Sequence, residues 1–317
     1  MAKGMIKPIK GSWFEFQHHW GVEGKYWDKE CSDFTEHQWE KKIEEVAEIG
    51  FDHLVLLDVA CNGKAYYDTS LFPKFPFGCE DPLEICLKTA DRLGIRFFIG
   101  VGFFITTNIS WEGINSPEET RKTLQFMNEI AERYGRHPSF YGWYLPHEAK
   151  IDGHYEEEYV KYVQNCNREG RKLLPNGKML IAPFGTRLAI PDDKYVKQLE
   201  RLGVDFIAYQ DEVGVRKSRV EELPAFYEGL KKAHERAGCA EIWADVEIFD
   251  FEGAVYQSAL IPAPFERVKR QLEAASPYVE KILVYQYQGM MNKPGSAAFA
   301  GHPESTQLYR DYEKFKV

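Results

Sequence analysis

No apolar run in this chain reaches the roughly 20 residues that a helix needs to cross a bilayer, so neither a membrane span nor a membrane partner is expected. Positive charge is also short. Lys and Arg number 40 against 49 Asp and Glu, for a net charge of -9. Nucleic-acid binding depends on a concentrated basic face that neutralises phosphates, and its lack argues against such a partner. The amino-terminal stretch MAKGMIKPIKGSW has no long apolar core of the signal-peptide kind. The expectation is therefore a cytoplasmic protein if the chain is complete, or a periplasmic or secreted one if a leader has been removed. The six cysteines, at 31, 61, 79, 86, 166 and 239, have no C-x-x-C or other metal-ligand spacing. They read as buried or loop thiols, with a bridge between Cys61 and Cys79 left open, and no local signature pairs one with a histidine as a nucleophile. No glycine-rich phosphate loop follows the first strand-like segment, which weighs against a dinucleotide-binding open sheet. No cofactor is expected.

What the chain does have is alternation. Strand-like apolar segments occur at 11–17, 52–60, 95–104, 139–148, 177–185, 204–210, 241–249 and 281–288. Between and after them lie stretches with a 3.6-residue apolar period, at 36–49, 81–93, 117–135, 155–174, 192–202, 219–237, 264–276 and 304–315. Ser116-Pro117-Glu118-Glu119 supplies a capping side chain, a proline at the first helical position and acid in the first turn. Gly50, Gly94, Gly203 and Gly238 stand where carboxyl-terminal glycine caps are expected. Near-continuous apolar strands alternating with amphipathic helices imply a parallel sheet covered by helices. Eight units with no linker or composition shift imply an α/β fold with one domain over residues 1–317, a single (β/α)8 TIM barrel.

In such a barrel the carboxyl ends of the strands share the face where chemistry is done. Glu148 closes the fourth strand-like run and Glu247 the seventh. Along EIWADVEIF the two-residue period sends Ile242, Ala244 and Val246 toward the helices and Trp243, Asp245 and Glu247 toward the lumen. That puts Glu247 at the rim and Asp245 one layer below. Two facing carboxylates are what glycoside hydrolysis uses, one to protonate the leaving oxygen and one to attack the anomeric carbon. The attacking carboxylate is expected to be held ionised by hydrogen bonds. His147, Tyr209, Gln210 and Asp211 are candidate hydrogen-bonding partners of the pair and its substrate. His18 and Asp58 are further candidates at strand ends. Aromatic residues make up 15% of the chain, and Trp13, Trp20, Trp111 and Trp143 are candidate sugar platforms.

The phrases GSWFEF, FTEHQWEKKIEEVAEIGFDHLVL, FYGWYLPHE and IAYQDEVG resemble a family of barrel proteins, DUF4434. The wider layout is similar to the large clan of retaining glycoside hydrolases with (β/α)8 barrels. The resemblance implies a glycosidase with a carbohydrate substrate, Glu148 as acid/base and Glu247 as nucleophile. Two positions depart from the clan's pattern. His147 stands where an Asn usually precedes the acid/base, and Tyr285-Gln286-Tyr287-Gln288 occupies the end of the eighth strand where a Trp is common, which makes Tyr287 a substitute binding candidate.

Two rival readings remain. A metal-dependent hydrolase or sugar isomerase has ligand types available in His18, His19, Asp58, His147, Glu148 and Glu247. Yet the fifth strand ends IAPFG without a ligand, the eighth ends in Tyr and Gln, and no His-x-His marks the first, so no metal site is assigned. The other rival is a barrel that binds carbohydrate without cleaving it.

Overall fold

The computed structural model of the protein describes residues 6–101 and 117–316. Eight parallel strands close into a barrel. They are β1 (Ile9–Phe14), β2 (His53–Leu56), β3 (Arg96–Gly100), β4 (Phe140–Leu145), β5 (Lys178–Ile181), β6 (Phe206–Gln210), β7 (Glu241–Glu247) and β8 (Lys281–Tyr285). Closure comes from β1, which pairs with both β2 and β8. The open doubly wound sheet is thereby excluded. Each strand is followed by a helix: α1 (Glu36–Glu48), α2 (Pro82–Leu93), α3 (Pro117–Tyr134), α4 (Glu157–Leu173), α5 (Asp193–Leu202), α6 (Leu223–Ala237), α7 (Phe265–Ala275) and α8 (Ser305–Phe315).

Local chemistry sets several of these boundaries. Thr35 and Gln38 form a reciprocal capping box at the start of α1. Asp81 and Asp192 accept backbone N–H groups at the starts of α2 and α5, at 3.0 Å in each case. Gly94, Gly203 and Gly238 end α2, α5 and α6 in the left-handed region that a side chain would strain. Ser116, expected to cap α3, lies outside the described residues.

Alternation along the strands divides the core in two. Trp13, Val55, Phe98, Leu180, Ala208, Trp243 and Leu283 fill the lumen, while a larger cluster joins strands to helices. Phe206 stacks on Trp243 at 4.2 Å between ring centres, so the barrel is packed rather than hollow. One irregularity matters for the site. Between β3 and β4 the register runs Phe97 to Phe140 and then Phe98 to Gly142, so β4 carries one extra residue. This bulge reverses the alternation beyond it: Tyr141 packs in the lumen, Trp143 points outward and Tyr144 points inward again.

All six cysteines are free, so the Cys61 to Cys79 bridge does not form. Cys61 belongs to a small ladder with Lys64, whereas Gly78 beside Cys79 is tied to Ser32, in the segment between β1 and α1, by a 2.7 Å hydrogen bond.

Candidate active site

A cavity of about 840 Å³ opens among the strand ends and the loops that follow them, and both Glu148 and Glu247 line it. Glu247 is the last residue of β7, as the two-residue period requires, and Asp245 lines the same cavity below it. Glu148 lies three residues past the end of β4, beyond Pro146. Its Oε1 accepts the Tyr144 hydroxyl at 3.0 Å. Gln210, the last residue of β6, also hydrogen-bonds to Glu148. The Oε2 of Glu247 accepts the backbone N–H of Val215 at 2.8 Å. Behind it, Asp211 accepts the backbone N–H of Glu247 at 3.3 Å and the amide of Gln271, from α7, at 2.7 Å.

These carboxyls are taken out of water with few cations nearby, which favours their neutral forms. Burial raises Glu148 to about 7, opposed by its bonds to Gln210 and Tyr144 and by the charge of Lys217. Burial, with the Asp211 carboxyl next in weight, raises Glu247 well above the usual range, although the Val215 N–H and Arg267 act the other way. Asp245 is raised likewise, by burial and then by Glu247, Glu148 and Asp211. Hydrogen bonding was expected to hold Glu247 ionised. Burial outweighs it, with the Asp211 and Glu212 carboxyls adding to the same direction.

Besides Glu148 and Glu247, the predicted positions His18, His19, Trp20, Gln210 and Asp245 reach the cavity wall, and the other predicted positions among the described residues do not. Trp13 is in the lumen packing, 1% exposed, edge-on to Tyr144 at 5.9 Å. Trp143 is turned outward by the β4 bulge and lies against Gly170 of α4. Tyr209 also faces the helices, where its hydroxyl meets Tyr195 and His234, each at 2.9 Å. Tyr287 packs beneath Phe51 and Tyr309. His147 sets its ring edge-on to Tyr162 at 5.4 Å. Asp58 is buried outside the wall within reach of Glu15, and Asp211 supports Glu247 from behind. Trp111 lies outside the described residues.

The family model for DUF4434, a domain of unknown function, matches residues 9–298. The chain belongs to the DUF4434 family. No curated protein matches it in sequence. Among solved structures, this DUF4434 protein is similar to a candidate alpha-L-fucosidase from Bacteroides thetaiotaomicron, with a TM-score of 0.71 and 17% identity over 98% of this chain and 96% of that one. A β-galactosidase from Marinomonas ef1 shares the barrel with a TM-score of 0.61 and 10% identity, over 97% of this chain and 59% of that one. A β-D-glucuronidase from Dictyoglomus thermophilum gives 0.57 and 14%, over 98% and 50%. At such identities the likeness establishes the fold.

The DUF4434 cavity also contains groups that strand ends alone do not reveal. Glu23, Glu212, Lys217, Phe184 and Tyr256 line it from loops. Glu15, one residue past β1, is buried near them, and its position after Trp13 in the two-residue period was the available signal. Glu212 was signalled by its place just after the sixth strand, whereas Glu23, Lys217 and Tyr256 have no local signal. Backbone geometry does mark the rim. Of the four non-glycine residues with positive φ among the described residues, Asn62, Glu212 and Tyr256 line the cavity. Strain of this kind, at about 1–3 kcal/mol each, persists where the surroundings over-determine a side chain's position.

Glu15, His18 and His19 bring one ligand-type atom each within 4.8 Å of the others. Their arrangement does not suit an ion. The two imidazoles stack at 4.6 Å and 20°, so their in-plane lone pairs run side by side instead of converging. The Nδ1 of His18 already accepts the Trp20 N–H at 3.0 Å. Glu15 receives the Trp27 indole N–H at 3.0 Å, the Gln286 amide at 2.7 Å and the Tyr285 hydroxyl at 3.2 Å. These bonds hold Glu15 and His18 in place in the loop after β1.

Proposed function

We propose that this DUF4434 protein is a glycoside hydrolase that cleaves by a two-carboxylate, retaining mechanism. The observation that carries the reading is that Glu148 and Glu247, from opposite parts of the barrel, line one cavity in different surroundings. Glu148, set at about 7 and braced by Tyr144 and Gln210, can hold a proton for the leaving oxygen at neutral pH and take one back from water in the second step. Glu247 attacks the anomeric carbon. Burial and the Asp211 carboxyl work against its ionised form, and the positive charge that develops on the sugar in the transition state works for it. Trp20, Phe184 and Tyr256 provide apolar faces for sugar rings. The glycosidase folds among the structural neighbours are consistent with this assignment, and the substrate class is carbohydrate.

The test is a pair of substitutions assayed on activated aryl glycosides and on natural glycans. Glu247→Gln should lower turnover on every substrate by about 10⁴-fold or more, because no covalent intermediate can form. Glu148→Gln should cost natural substrates about 10²–10⁴-fold while sparing the first step on aryl glycosides with good leaving groups. Added azide should accelerate its second step and give a product of retained configuration. Equal, small effects of the two changes would remove both carboxylates from the chemistry, and an inverted product would exclude the retaining route.

A further inference from the structure

The cavity wall is unbalanced in charge. Glu23, Glu148, Glu212, Asp245 and Glu247 line it, against Lys217 as the only lysine or arginine among the described lining residues. Lys217 is itself taken up by rings, 5.4 Å from Phe184 and 5.3 Å from Tyr256. Two of the carboxylates have the catalytic roles proposed above, and Asp245 lies beneath them. Glu23 has no such role.

Glu23 sits in the loop after β1, tied by its backbone to Trp20 at 2.9 Å and to Leu260 at 3.2 Å. Its side chain is held in place and nearly dry, with the residue 4% exposed, yet it faces the cavity. Its Oε1 makes no hydrogen bond. Its Oε2 has only the His18 Nε2, at 3.7 Å. That imidazole brings no charge, because burial lowers His18 to about 3. Burial, and after it the nearby Glu15, raise Glu23 to about 8, so near neutral pH the group holds a proton that an arriving cation displaces to the solvent. Aromatic groups complete the surroundings. Trp20 and Tyr256 meet edge to face at 5.8 Å, and the charge of Glu23 is felt at the hydroxyls of Tyr256 and Tyr285.

A buried carboxylate without a partner, beside aromatic faces, is the chemistry that receives an ammonium group: the carboxylate supplies the charge and hydrogen bonds, and the rings supply cation–π attraction. We propose that the Glu23 end of the cavity is a subsite for an amino sugar whose nitrogen is unsubstituted and protonated. Resting on the glycosidase reading for the sugar context, this makes the preferred glycan one with deacetylated hexosamine units. A hydroxyl in the same place cannot supply the charge that draws the proton off Glu23, an acetylated nitrogen is neutral and bulkier, and a uronate adds a further acid to a wall that already carries five.

Calorimetric titration of the full chain at pH 6.5 and low salt, with a glucosamine tetramer, its fully acetylated counterpart, cellotetraose and a galacturonate tetramer, tests this directly. The glucosamine tetramer should bind about tenfold tighter than cellotetraose or more, with the uronate weakest. Glu23→Gln should abolish that preference, with circular dichroism of the variant checking its fold. Equal binding of the amino and neutral tetramers, tighter binding of the uronate, no binding of any of the four, or a preference that survives Glu23→Gln each overturns the subsite. If the variant does not fold, the wild-type comparison decides. A glucosamine preference without cleavage of any glycan would overturn the hydrolase assignment and leave the subsite standing. Cleavage without the preference would do the reverse.

Discussion

Lys217 shows how far one residue can set the working range of the site. It sits among rings and acids at the cavity wall, and its charge favours the ionised form of Glu148. A general acid must be protonated to act, so with Glu148 at about 7 the value of kcat/KM should fall as pH rises through about 7. Replacing Lys217 by Met removes the charge that favours ionisation, which moves the pKa of Glu148 up and the alkaline limb with it. The pH profile of the variant checks this on any cleaved substrate. A limb that stays in place or moves to lower pH would assign it to a different group.

At the scale of the element, the bulge in β4 is the decisive local feature. It lets Tyr141 plug the lumen and Tyr144 reach Glu148 from the same strand, at the cost of turning Trp143 away from the cavity. Gly142 permits it. A Cβ there would stand 2.1 Å from the carbonyl oxygen of Lys178 and 2.7 Å from its backbone carbon and nitrogen, none of which can swing aside like a side-chain tip. Gly142→Ala should therefore destabilise the barrel by about 2 kcal/mol or more, seen as a lower urea midpoint. It should also reduce activity, since the β4 end positions both Tyr144 and Glu148. An unchanged midpoint would mean that β4 and β5 can separate without loss.

Over the whole molecule, buried ionisable groups make stability depend on pH from two sides. Glu23 and Asp28 are raised to about 8 and Glu148 to about 7, mainly by burial, so the folded state binds protons that the unfolded chain has released. Their contribution is complete below about 4.5 for the two glutamates and about 3.8 for Asp28, and it is lost as pH rises through 7 to 8. His18 and His19, lowered to about 3, and His147 and His234, lowered to about 4, act in the opposite sense. Their contribution is present above about 6.5 and is lost as pH falls. The melting temperature should therefore peak between about pH 6 and 7 and fall by roughly 5 °C or more by pH 9. A flat profile between pH 7 and 9 would show that these carboxyls are better solvated than their burial indicates. Catalysis by two carboxylates also requires no ion, so activity should survive exhaustive chelation. Loss in EDTA with rescue by zinc, manganese or magnesium would restore the metal-dependent reading.

Periodicity along the chain was enough to determine the eightfold strand and helix count, the closed barrel, and the inward face of β7 that carries Trp243, Asp245 and Glu247. Those features follow from repeats two and 3.6 residues long, which are local and need no knowledge of distant contacts. Strand ends also located Glu148, although the strand itself stops at Leu145. Only the tertiary structure decided which aromatics face the cavity, because one inserted residue in β4 reverses the alternation and leaves no mark that a count of apolar residues detects. It alone brought Glu23, Glu212, Lys217 and Tyr256 together, since loops have no period and their side chains meet across more than two hundred positions of sequence. The direction of the shift at Glu247 belongs to the same class. It depends first on how deeply the carboxyl is buried and then on the Asp211 carboxyl beside it, and both are properties of the assembled barrel rather than of any segment in it.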